Sequence, residues 1–166
     1  KTMTLTPDQV AQFETNGYLL VRGALPDADL DPLIAEYEAY IDKRARQLHA
    51  AGKISDVHAG APFDRRLALI SRECDEIFPE LDIMKLRAKA AFAFLRSDTL
   101  LDMVEAFVGP EITCSPIQHV RAKLPRGLSS SGKDAHVLPW HQDAGVTWKE
   151  ADNEFILTVW LPLTRA

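Results

Sequence analysis

The chain has 166 residues, 46% hydrophobic and 26% charged, enough for one domain with its own core and short for two. Its 24 acidic residues outnumber the 19 basic ones, and the net charge of −5 argues against a nucleic-acid or anionic-membrane surface built on clustered Lys and Arg. Cys74 and Cys114 stand far apart in no Cys-x-x-Cys arrangement and no apolar run is long enough to span a bilayer, so a soluble protein of the reducing cytoplasm is expected. Met3 reads as a native start preceded by Lys1 and Thr2. The end at Ala166 falls just after an apolar run, where a β-rich core still needs strands, so the chain reads as an incomplete domain.

Thr6-Pro7-Asp8-Gln9 reads as a helix start, with Thr6 as N-cap, Pro7 at the first helical position and Gln9 reaching back in a capping box. Gly17 supplies a left-handed stop, and residues 18–21 read as a short strand. Pro26-Asp27-Ala28-Asp29 opens a second helix with acids at the positive end of its dipole. Leu30, Leu33, Ile34, Tyr37 and Ile41 follow at helical spacing, to a stop near Gly52. Residues 53–63 lack any sustained period and form a loop, in which His58 reads as a solvated histidine. Residues 65–74 and 83–95 are helical candidates separated by Pro79. Ser97 caps a further helix, whose apolar face of Leu100, Leu101, Val104, Phe107 and Val108 ends at Gly109. The charged residues of these helices, Arg66 among them, read as solvated faces.

After Pro110 the pattern changes. Residues 112–124 are rich in β-branched and alternating positions and read as a strand interrupted early by Pro116, followed by a flexible loop over 125–132. Residues 155–163 form a near-continuous apolar run, the mark of a strand buried on both faces, with Pro162 weakening its far end. Helices first and strands later is an α+β order, compatible with helices packed on a β-sandwich.

The chemistry concentrates in Pro139-Trp140-His141-Gln142-Asp143-Ala144-Gly145. In extended backbone His141 and Asp143 share a face, and an imidazole beside a carboxylate supplies two of the three ligands of a 2-His-1-carboxylate iron(II) site. A second histidine from farther along the chain completes such a set, and His119 and His136 are earlier stand-ins. The same tripeptide also reads as a solvated pair in a surface turn. Trp140 and Trp148 read as walls around the mouth of a substrate pocket.

Residues 139–143, Trp148 and the run Phe155-Ile156-Leu157-Thr158-Val159-Trp160-Leu161-Pro162-Leu163 resemble the metal-binding segment of the phytanoyl-CoA dioxygenase family of iron(II)- and 2-oxoglutarate-dependent oxygenases. Leu5-Thr6-Pro7-Asp8-Gln9-Val10 through Asn16-Gly17-Tyr18-Leu19-Leu20-Val21-Arg22-Gly23 is similar to that family's usual start. The resemblance implies a single domain over 1–166, with N-terminal helices packed on a double-stranded β-helix core of jelly-roll, cupin-like type whose C-terminal strands are absent from this chain. It implies His141 and Asp143 as metal ligands, Gln118 and Trp160 at the 2-oxoglutarate pocket, iron(II) as cofactor and 2-oxoglutarate as co-substrate. Thr158 is a further co-substrate candidate, and inward core packing is the competing reading for it and for Trp160.

The activity implied is hydroxylation of a small organic substrate that the sequence does not name. The family's second metal histidine and its 2-oxoglutarate arginine fall outside this chain, which by itself is expected to be inactive. The rival readings are a truncated relative that binds a ligand or partner without turnover, and a site completed by dimerisation. An unpaired strand edge at 155–163 would favour such a homo-oligomer.

Overall fold

The computed structural model describes residues 4–115, 118–124, 141–146, 149 and 153–164. Its first helix, α1 (Pro7–Asn16), begins as its local sequence dictates. The Gln9 backbone N–H donates to Thr6 Oγ1 at 3.3 Å, and the Thr6 N–H donates to Gln9 Oε1 at 2.9 Å. That closed capping box satisfies two of the donors a helix start leaves over, and Pro7 occupies the first turn, where its missing N–H is no loss. Gly17, at φ +76°, turns the chain out of the helix.

Helix α2 (Asp27–Ala50) is the axis of the molecule. Leu33, Tyr37, Ile41, Ala45 and Leu48 recur three and four residues apart and are all buried, a single stripe that packs against α3 (Phe63–Ser71) and α5 (Lys89–Phe94). Each fully buried Leu or Ile on such a stripe contributes roughly 1.5–3 kcal/mol, which outweighs the interior Pro32 near the helix start. Between α3 and α5 the chain makes a 3-10 turn at Phe78–Glu80 and the short helix α4 (Ile83–Leu86).

The continuous helix expected over 83–95 is broken in two. Arg87 adopts a left-handed conformation at φ +47° and closes α4 by donating its N–H to the Ile83 carbonyl. The Glu36 carboxylate of α2 then accepts the N–H of Lys89, at 3.0 Å, and that of Ala90. A carboxylate from another helix thus caps the first turn of α5, and a helix running straight through would leave that contact unmade. Helix α6 (Asp98–Val108) follows Ser97 as expected, but the Ser97 hydroxyl donates to Asp29 Oδ2 at 2.8 Å rather than capping its own helix. Phe107 of α6 packs against Phe13 of α1 with ring centroids 4.5 Å apart, and Phe155 meets Phe13 edge-on at 6.4 Å.

Arg66 is not part of a solvated face. It is 9% exposed, and its guanidinium donates to Asp42 Oδ1 at 2.6 Å and to the Val57 carbonyl at 3.0 and 3.2 Å, pinning the loop after α2 to that helix. Bonds from Arg46 and then Arg66 hold the Asp42 carboxyl down at about 2.

The expected β core is overturned. Among the described residues there is no β-strand: 18–21, 112–115, 118–124 and 155–163 carry no ladder, and the architecture is helical, not helices on a jelly roll. Residues 118–124 do keep their alternation, with Val120, Ala122 and Leu124 turned to the helical core and His119, Arg121 and Lys123 outward. The 155–163 run was expected to be buried on both faces. Instead Phe155, Ile156, Val159 and Trp160 are exposed, and Leu161 and Leu163 rest against the core. Alternation and apolar content record which side chains suit a sheet, whereas a sheet also requires a second backbone to supply donors and acceptors, and these segments do not pair with one another. Pro116 and the loop expected over 125–132 lie outside the described residues. Among the described residues no helix is long and apolar enough to cross a membrane.

Candidate functional site

His141 and Gln142 precede a 3-10 turn at Asp143–Val146, closed by the Gly145 N–H donating to the Gln142 carbonyl at 3.0 Å. From Asp143 on the segment is therefore a turn rather than extended backbone, and the turn begins at the carboxylate itself. His141 and Asp143 nonetheless meet, with Nε2 of the imidazole 3.2 Å from Asp143 Oδ1. Their side chains are 47% and 49% exposed, so one edge of the pair is in contact with the protein and the other with water. The second carboxylate oxygen, Oδ2, accepts a hydrogen bond from Thr158 Oγ1 at 2.6 Å.

Trp160 lies two residues beyond Thr158 and is 68% exposed. The Gln118 amide is turned back on its own segment, donating to the Ser115 carbonyl at 2.9 Å and to Cys114 Sγ at 2.6 Å. His119 is held elsewhere, its Nδ1 2.8 Å from Oδ2 of Asp82, whose other oxygen accepts the Met84 N–H at the start of α4. His58 sits in a local turn, its backbone N–H donating to Asp56 Oδ1 at 2.8 Å. Trp140, Trp148 and His136 lie outside the described residues. The structure thus joins His141, Asp143 and Thr158. The bond between Asp143 and Thr158 links positions fifteen residues apart, and no local sequence signal announces it.

A family model described as phytanoyl-CoA dioxygenase (PhyH) matches residues 13–166, nearly the whole chain. The chain belongs to the phytanoyl-CoA dioxygenase family. No curated protein and no solved structure matches it. Members of the phytanoyl-CoA dioxygenase family are dioxygenases that generally depend on iron(II) and 2-oxoglutarate.

The donor chemistry on hand fits two positions of such a metal. An imidazole nitrogen and a carboxylate oxygen already converge at 3.2 Å, a donor pair that suits iron(II). Among the described residues, no group of three or more His, Cys, Asp or Glu side chains gathers to complete a site.

Proposed function

We propose that this chain serves iron(II)- and 2-oxoglutarate-dependent hydroxylation of a small organic substrate, with His141 and Asp143 as two of the metal ligands. The convergence of His141 Nε2 and Asp143 Oδ1 inside the family-matched region is the observation that carries the reading. His141 and Asp143 would hold iron(II), which would supply the binding of a 2-oxo acid and the activation of dioxygen.

The chain's own part is to present one imidazole nitrogen and one carboxylate oxygen from a three-residue stretch, so that both reach the same point. Half-exposure of both side chains leaves an approach for ligands from the solvent side. Trp160 and Gln118 are the co-substrate-pocket candidates of this reading, and Trp140 and Trp148 its substrate-pocket candidates. The two free cysteines accord with a reducing, cytoplasmic setting. Residues 1–166 are read as belonging to one oxygenase domain.

Anaerobic titration with iron(II) and 2-oxoglutarate tests the proposal through the visible charge-transfer band of the chelate. Among the described residues only His141 and Asp143 of such a ligand set converge, so a weak band is expected from the unaltered chain and none from His141→Ala. An equally intense band from the His141 variant would remove His141 from the ligand set and the proposal with it.

A further inference from the structure

Resting on that ligand reading, we infer that Thr158 is a positioning residue that fixes which oxygen of Asp143 faces the metal. An aspartate carboxylate has two equivalent oxygens and turns readily about its last bond, so presenting one of them steadily requires that the other be held. Thr158 holds Oδ2 at 2.6 Å, and Oδ1 is the oxygen turned to His141 Nε2. A hydroxyl-to-carboxylate distance of 2.6 Å belongs to the charge-assisted class, roughly twice as strong as a neutral hydrogen bond.

The local structure explains why an outside partner is needed. Asp143 opens a short 3-10 turn and half of its side chain is in water, so its surroundings do little to set its rotation. Threonine suits the task because branching at Cβ leaves few side-chain rotamers, which lowers the entropy lost in holding the hydroxyl in place.

The same bond bears on the co-substrate. A hydroxyl carries one hydrogen, and that of Thr158 is directed to Asp143. Only lone pairs remain, and they repel a carboxylate rather than bind it. Thr158 therefore acts through the aspartate ligand and is not a donor to 2-oxoglutarate, which leaves Trp160 as the co-substrate candidate of this segment.

Cobalt(II), whose visible d–d bands report its coordination, is the probe. It is titrated into the unaltered chain and into Thr158→Val, Thr158→Ser and His141→Ala, with far-UV circular dichroism as the check on folding. Thr158 is exposed, so its variants should keep the native spectrum. Thr158→Val, which preserves shape and removes the hydroxyl, is expected to bind about tenfold more weakly with altered bands, in line with the loss of a group that orients a metal ligand. Thr158→Ser is expected to bind close to the unaltered chain. If Thr158→Val binds normally while His141→Ala loses the bands, the positioning role falls and the ligand reading stands. A Ser variant as weak as the Val variant points to packing by the Thr methyl and also overturns the role. Bands retained in His141→Ala, or missing from the unaltered chain, overturn the ligand reading and this inference together.

Discussion

Replacing Tyr37 by Phe tests the core through one hydroxyl. Tyr37 is 2% exposed on the buried stripe of α2, and its hydroxyl donates to the Leu81 carbonyl at 3.1 Å. Phe fills the same space but leaves that carbonyl without its donor, a loss of about 1.5 kcal/mol at neutral pH, or roughly 3–6 °C in Tm for a chain of this size. The alkaline range adds a second signature of opposite sign. Burial, with added repulsion from Asp82 and Glu36, pushes the Tyr37 hydroxyl up to about 12 from its ordinary 10.

The unfolded chain therefore loses this proton first. The stability that depends on the neutral hydroxyl is complete below pH 10 and is lost as pH rises through the folded value. At about pH 11 the linkage is on the order of 1 kcal/mol, so the gap between Tyr37→Phe and the unaltered chain should narrow there. Urea denaturation at pH 7, 9 and 11, followed by far-UV circular dichroism, measures both effects. Equal midpoints at pH 7, or a gap that stays constant to pH 11, would refute the reasoning.

Arg66→Met should destabilise the fold by roughly 1–3 kcal/mol, because the Val57 carbonyl loses its donor while Asp42 keeps Arg46. Limited proteolysis should then cut residues 51–62 faster, and an unchanged cleavage rate would show that the loop is held by other means. Ser71→Ala is expected to be neutral or to stabilise by about 1 kcal/mol, since Ser71 is fully buried and its hydroxyl finds no hydrogen-bond partner among the described residues. A lower thermal midpoint in that variant would reveal a partner for the hydroxyl.

Where a residue's neighbours in sequence are also its neighbours in space, the chain was readable. The Thr6 to Gly17 frame of α1 and the helical spacing of Leu33, Tyr37 and Ile41 on α2 are patterns within a few turns and stand as read, while Leu30 and Ile34 are only partly buried and the stripe extends to Ala45 and Leu48. The division between α4 and α5 was not readable, because the carboxylate that caps α5 comes from a residue more than fifty positions earlier. Arg66 looked like its exposed neighbours Arg65 and Arg72, and only the folded loop reveals the Val57 carbonyl and the Asp42 carboxylate it serves. The β core failed for a related reason. The apolar run around Trp160 and the alternation of 118–124 describe side chains, and pairing is a property of two backbones at once. At the site, His141 and Asp143 stood out because they lie two positions apart, while the Thr158 contact joins residues fifteen positions apart.

The Glu36 carboxylate on the start of α5 also has a kinetic consequence. Six residues are too few to nucleate a lasting helix in water, so α5 cannot persist ahead of its cap. Its helicity is conditional on α2 being formed and docked, which places it late in assembly and early in any partial opening. The amide protons of Lys89 and Ala90 should then exchange with solvent at the rate at which the α2–α5 contact opens, rather than at the rate at which a helix end frays. Two backbone amides thus serve as a built-in gauge of how often the central contact of the molecule comes apart.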